Sequence, residues 1–380
     1  MGRCAFHLRS RFCIALVSVA CFSAPASPLW GQDVTLGGTR WKSCPPGRST
    51  VTDDLCPGTS APPAVVPEPG PPQLALEPNL PPERFAALGG ETVALADRSA
   101  VGYIDPAIPR TQIRLRYDDM LQDTRPDRAE FLYAKFGFYA TPASVAIAGV
   151  PPDPNAKGPH GPENSVNLQD LSTYLEAACD PRFSLFVDLP VRFVHPLGLP
   201  RRTGFSDMSA GFKYAFLYQE NQVATFQLRT YIPTGDSTIW LGNNHVSLEP
   251  GLLYFWGLTD RLSLEAEIKD WVPIGGTNFA GNIVNYGLGL SYRLLDSSKF
   301  WMSPVVELVG WTVLDGKESV VFSRTFVQVK EAGGDTIVNA KVGARLGYGA
   351  HNDLYIGYGR ALTGDVWYKD IVRLEYRLGF

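Results

Sequence analysis

In "RLSLEAEIKDW" (residues 261–271), Leu262, Leu264, Ala266 and Ile268 occupy every second position, and Ser263, Glu265, Glu267 and Lys269 fill the places between. Successive side chains of a strand point to opposite faces, so this spacing predicts a strand with one apolar and one charged face. The same period recurs from Thr111 to the last residue. It is plain in Phe183/Leu185/Val187/Leu189/Val191/Phe193, in Val284/Tyr286/Leu288/Leu290/Tyr292 and in Val338/Ala340/Val342/Ala344/Leu346/Tyr348. About twelve strands are predicted, at 111–118, 168–178, 183–194, 206–218, 222–233, 245–257, 261–272, 282–294, 299–313, 335–348, 353–362 and 370–380.

The connections alternate in length. "DPR" (180–182), "ENQ" (219–221), "TDR" (259–261), "DSSK" (296–299) and "HND" (351–353) are tight polar turns, and between them lie the long stretches 119–167, 195–205, 234–244, 273–281, 314–334 and 363–369. Antiparallel neighbours with all long loops at one end form an up-and-down meander, and an even strand count returns both chain ends to the short-turn side. A two-sheet sandwich would show the same alternation of side chains, but with shorter strands and no such regularity of loops.

Size decides which face is wet. About eight strands is the most that inward side chains fill, and a larger closed sheet encloses a lumen. The apolar face therefore points outward, because a lipid-facing Arg or Lys near mid-membrane costs about 2–4 kcal/mol. Closure also pairs every backbone group, as a bilayer requires. The fold class expected is thus an all-β, up-and-down antiparallel transmembrane β-barrel spanning 111–380. Its expected lumen lining is Arg114, Arg116, Asp188, Arg192, Lys213, Arg229, Glu249, Glu265, Glu267, Lys269, Arg293, Arg345, Arg373 and Glu375. Tyr117, Tyr231, Trp240, Trp256, Trp271, Trp301, Trp311 and Trp367 gather toward strand ends, where interfacial girdles belong. Gly211, Gly251, Gly287, Gly289, Gly343 and Gly347 on the polar face are expected to leave a pore open.

The beginning of the chain sets the compartment. "MGRCAFHLRSR" is a basic leader, "FCIALVSVACF" an apolar core too short to span a bilayer, and Ala24-Pro25-Ala26 a small-residue cleavage pattern, so 1–26 is expected to be a signal peptide. Residues 27–110 are expected to be a periplasmic tether, mostly disordered, because proline is dense through "SCPPGRSTVTDDLCPGTSAPPAVVPEPGPPQLALEPNLPP" and removes backbone donors. Past the leader three cysteines remain: Cys44 and Cys56 are spaced to close a small loop and leave Cys179 alone, or all three stay unpaired. A formal net charge of -4 without basic blocks gives no footprint for nucleic acid. No motif for a cofactor or metal site is present: no CxxC pair occurs, and Asp118, Asp119, Asp123 and Asp127 match no calcium loop.

The closing "IVRLEYRLGF", with Tyr376, Leu378 and Phe380 on one face, resembles the last strand of Gram-negative-type outer-membrane barrels. That resemblance implies an assembly signal read by the barrel-assembly machinery, with outer-membrane lipid as the surrounding partner. "FQLRTYIPTGDS" (226–237) followed by "LEPGLLYFWGLTDRLSLEAEI" (248–268) resembles the outer-membrane transporter-like family linked to meta-pathway phenol degradation, over roughly residues 205–380. The family implies passage of small solutes, aromatic or hydrophobic ones among them, through the outer membrane. Loop 119–167 is the segment expected to constrict or cap the mouth. "NNHVSLE" carries an H-x-S spacing that resembles outer-membrane acyl hydrolases, so a hydrolase using His245 and Ser247 stands as an alternative. A non-conducting structural barrel is the other. Nothing in the pattern sets an oligomeric state.

Overall fold

The computed structural model describes residues 95, 98–124, 134–297, 299–349, 351–364 and 367–380. The expected signal peptide, the proline-rich stretch, Cys44 and Cys56 lie outside the described residues. Cys179 is disulfide-bonded, which overturns both readings, since each leaves it unpaired.

The strands are β1 (Gln112–Asp123), β2 (Val166–Asp180), β3 (Phe183–Pro196), β4 (Arg202–Phe205), β5 (Met208–Tyr218), β6 (Gln222–Ile232), β7 (Val246–Gly257) and β8 (Leu262–Ile274). There follow β9 (Ile283–Tyr292), β10 (Leu295–Asp296), β11 (Phe300–Val313), β12 (Lys317–Ser323), β13 (Phe326–Glu331), β14 (Thr336–Tyr348), β15 (Asn352–Ala361) and β16 (Asp370–Gly379). One sheet holds fourteen strands; without the short β4, which pairs only with β3, and the two-residue β10, twelve remain. Each of these pairs antiparallel with its neighbours, β9 pairs with β11, and β1 pairs with β16 from Gln112↔Gly379 to Leu121↔Asp370. The cylinder is closed and has no edge for backbone groups to be lost at.

Turn chemistry keeps one rim short. The Arg182 amide donates to Asp180 Oδ1 at 2.7 Å, the Arg261 and Leu262 amides donate to Thr259 Oγ1 at 3.2 and 2.9 Å, and Gly349 takes φ +66° after β14. The opposite rim carries the long loops. Within them sit the hairpin β12–β13, a 3-10 turn at Gly137–Ala140 and a short helix, α1 (Ala143–Ala148). β1 outruns its expected end at 118 because Asp118 is not a loop acid: it faces Arg373 across β16 and pairs with it.

The outward face is apolar on every barrel strand. Ile268 in the middle of β8 is 53% exposed and Leu308 in β11 47% exposed, with Leu115, Leu171, Phe216, Leu252, Leu288, Val342, Ile356 and Leu374 in the same belt. A soluble monomer exposes apolar patches of only a few hundred Å², whereas this belt encircles the molecule, the pattern of an exterior built to face hydrocarbon. Ile268→Arg is accordingly expected to destabilise the barrel by about 2–4 kcal/mol in urea titrations of the protein folded into lipid vesicles. Ile268→Leu, which keeps volume and polarity, should remain within about 1.5 kcal/mol.

Candidate functional site

Polar side chains fill the inward face, and most are tied in pairs. Arg373 clasps Asp118 with both ends of its fork at 2.6 and 2.7 Å, and Arg192 clasps Asp170 at 2.8 Å twice. Arg345 bridges Asp353 at 2.5 Å and Glu375 at 2.8 Å, and Arg114 approaches Glu375 at 3.6 Å. Arg116 meets Asp188 at 3.5 Å, Lys213 meets Glu176 at 3.5 Å, Arg229 meets Glu249 at 3.6 Å and Lys269 meets Glu267 at 3.0 Å. Arg293 lies just past β9 and stacks over the Trp301 ring at 3.9 Å. A buried ion without a counter-charge would cost several kcal/mol, so the pairing is a condition of this interior.

The interior also holds part of the chain. Residues 98–110, which the sequence assigns to the tether, enter at the short-turn rim, where Arg98 bonds the Thr259 carbonyl, rise to mid-barrel at Asp105, and return to β1. No sheet partner exists there for their backbone, so acidic side chains take the amides and basic ones take the carbonyls. Glu265 accepts the Ser99 hydroxyl at 2.8 Å and the Ala100 amide at 3.2 Å. Glu307 accepts three successive amides, from Gly102, Tyr103 and Ile104, at 3.2, 2.9 and 3.0 Å, as well as the Tyr355 hydroxyl at 3.1 Å. Glu267 takes the Asp105 amide at 2.8 Å. On the other side Arg377 donates to the Ser99 carbonyl at 3.0 Å, Arg345 to those of Ala100 and Val101 at 3.0 and 2.6 Å, and Arg373 to that of Gly102 at 2.5 Å.

The inward glycines make room for this segment. A Cβ on Gly287 would fall 2.3 Å from Ile104 Cγ2, and one on Gly289 would fall 2.6 Å from Val101 Cγ1. Two glycines expected to widen a pore are thus seats for an inserted peptide, and Gly343 and Gly347 give space to the Tyr355 and Trp301 rings. Tyr103 stands edge-on to Tyr355 with centroids 6.0 Å apart, between Arg373 and Lys341, which lie 4.3 and 4.0 Å from its ring.

The long-loop rim is covered from within loop 119–167. Phe136, Phe138 and Tyr139 are buried against Trp240 and Phe279, and Tyr139 shares a hydrogen bond of 2.9 Å with Ser319 of β12. Lys135 donates to Asp153 at 2.9 Å and to Asn278 at 3.1 Å. Burial pushes the Asp153 carboxyl up, and hydrogen bonds from Lys135 and the Asn155 amide outweigh it, leaving the carboxyl below its ordinary range. His245 is buried, and burial lowers its pKa; its Nδ1 lies 3.0 Å from the Asn243 carbonyl oxygen. Ser247 Oγ has no hydrogen-bond partner, and the cavity beside His245 measures ≈ 30 Å³, too small for an acyl chain. The structure does not bring the two into a base–nucleophile contact.

The expected lumen residues of the barrel strands lie on the inward face, with Arg293 half-buried just past β9, while Tyr376 and Leu378 lie on the outward face of β16 and Phe380 follows it. Those the sequence reading passed over are Glu307, Glu176, Asp170, Asp353, Thr225, whose hydroxyl donates to the Ala107 carbonyl at 2.5 Å, and the whole of 98–110, while Asp118, weighed only as a loop acid, joins the interior. Glu307 in "PVVELVGW" carried a signal, being a lone carboxylate on the inward register of an apolar strand.

No family model matches the chain, and no curated protein does. Among solved structures it is similar to the COG4313 outer membrane channel from Pseudomonas putida F1, at 16% identity over 73% of this chain and 100% of that one, with TM-score 0.44. It is similar also to the KdgM porin (10% identity, 71% and 99% covered, TM-score 0.36) and to LpxR from Salmonella typhimurium (10%, 71% and 100%, TM-score 0.37).

Glu307→Ala leaves three amides and a hydroxyl without an acceptor, at about 1–3 kcal/mol for each buried group. Amide hydrogen exchange of residues 100–105 is expected to quicken at least tenfold while the strands stay protected; Gly289→Leu should do the same by steric means alone. The lowered Asp153 pKa makes its contribution to the cap fully present above the ordinary carboxylate range of about 4 and lost as pH falls through the lower folded value. Tryptophan fluorescence from Trp240 should report that transition, and Asp153→Asn should abolish it.

Proposed function

We propose that the chain is an outer-membrane channel or transporter for small solutes, held shut in this state by its own residues 98–110 and by the cap over the long-loop rim. One observation carries this reading: the segment that fills the barrel is held through backbone hydrogen bonds to charged side chains, which water can solvate once it leaves, beside two smaller apolar contacts at Val101/Ile104 and Ala107/Ile108. A barrel made only as a scaffold gains more from an apolar, interdigitated interior, which leaves no pathway when it loosens. The resemblance of 226–268 to the transporter-like family linked to meta-pathway phenol degradation supports aromatic or hydrophobic solutes as the cargo. Tyr376, Leu378 and Phe380 serve as the assembly signal for the barrel-assembly machinery, and lipid surrounds the belt. The acyl-hydrolase alternative has no geometry in its favour, since His245 bonds the Asn243 carbonyl instead of Ser247.

The test is planar-bilayer recording of the full chain beside a variant lacking Ser99–Ile108. The deletion is expected to conduct steadily and the full chain only in brief openings, with heat-modifiable migration in gels confirming that both barrels are folded. A folded deletion variant that passes no current at any voltage would establish the non-conducting structural barrel instead.

A further inference from the structure

Asp105 is the one acid between Arg98 and Arg110, and it sits at the innermost point of the inserted segment. A single carboxylate oxygen, Oδ2, gathers three donors there: Gln227 Nε2 at 3.1 Å, Arg229 at 2.9 Å and Lys269 Nζ at 3.1 Å. Lys213 reaches the next residue, donating to the Pro106 carbonyl at 3.1 Å. All four side chains are buried, and they come from β5, β6 and β8, so the wall of the barrel and not the segment fixes where they point. Besides Asp105, Arg229 reaches Glu249 at 3.6 Å and Lys269 reaches Glu267 at 3.0 Å, so each cation also has a partner in the wall.

We propose that the Gln227–Arg229–Lys269 cluster is a solute subsite for a carboxylate, and that Asp105 occupies it as an internal stand-in which a carboxylate-bearing solute displaces, releasing residues 98–110. The inference rests on the channel reading and narrows its cargo to small organic anions with an apolar body. A second feature points to the same chemistry at the opposite end. A cleft of ≈ 400 Å³ in the cap has apolar walls from Phe138, Ile147 and Leu199 beside the Arg324 guanidinium and His160, and no carboxylate lines it. An aromatic ring with one carboxylate fits both environments, the ring against the apolar wall and the charge on the guanidinium.

The probe is benzoate, with benzamide as its uncharged isostere, applied to the full chain. Millimolar benzoate is expected to raise the open fraction in planar bilayers, and the exchange rate of amides 99–107 in detergent, at least about tenfold over benzamide. Asp105→Asn should show the raised open fraction without any solute. Arg229→Gln should lose the response to benzoate; Gln227→Leu, which removes a donor and leaves every charge in place, should weaken it if the arginine variant does not fold. Equal effects of benzoate and benzamide, or an undiminished response in the folded Arg229→Gln or Gln227→Leu variant, would overturn the subsite. Failure of the channel reading looks different: the Ser99–Ile108 deletion passes no current, yet benzoate still speeds exchange of 99–107 in the intact chain.

Discussion

A closed cylinder of twelve strands encloses more space than its inward side chains can fill. That excess volume is the constraint on which the rest of this molecule depends. The closure itself follows from the exterior: with hydrocarbon outside, each backbone amide must find a carbonyl within the sheet, and the β1–β16 pairing removes the last edge. Once the ring is closed, the inside must be occupied by water, by side chains or by other polypeptide. Here residues 98–110 take the short-turn half up to Asp105, and aromatic side chains of the 134–165 region cover the long-loop end.

A peptide placed inside a barrel brings backbone groups that the saturated sheet cannot serve. The interior answers with two chemically distinct walls. Glu265, Glu267 and Glu307 accept amides, while Arg345, Arg373 and Arg377 donate to carbonyls. Each of those arginines is also paired to an acid of the wall, so the guanidinium charges keep a partner when the segment leaves. Glycine at 287 and 289 completes the arrangement by letting Ile104 and Val101 lie against bare backbone.

The barrel was legible in the sequence because period-2 alternation is a local property: any stretch of six residues in 283–292 or 336–348 displays it without reference to its neighbours. The loop lengths, equally local, placed the start of β1 and the end of β16 at one rim. Residues 98–110 were not legible, because "RSAVGYIDPAIPR" forms no regular element and owes its position to side chains spread from β2 to β16. The same holds for Asp118, whose partner Arg373 stands 255 residues away and turns an expected loop start into the middle of a strand. Of the site, the basic members of the interior could be read from register alone; which of them meet at Asp105 could not.

The character of the contacts decides what kind of occupant the segment is. Ordering a residue costs about 1–2 kcal/mol, and a hydrogen bond to a charged group returns about 1.5–3 kcal/mol. The two are similar in size, so the inserted and released states are separated by a small difference between large terms. A segment held by apolar packing alone would lack that balance, since its departure would leave a dry hole with a cavity cost on every lining side chain. Around 98–110 the lining is mixed: carboxylate, guanidinium, ammonium and amide groups hold the backbone and exchange a peptide partner for water or for a solute anion with little loss, while Val101 and Ile104 share a buried apolar cluster with Val305 and Val309, and Ala107 and Ile108 share one with Val223, Leu253 and Phe255. The property that lets the barrel accept a piece of its own chain is therefore the property that lets it accept something else in the same place.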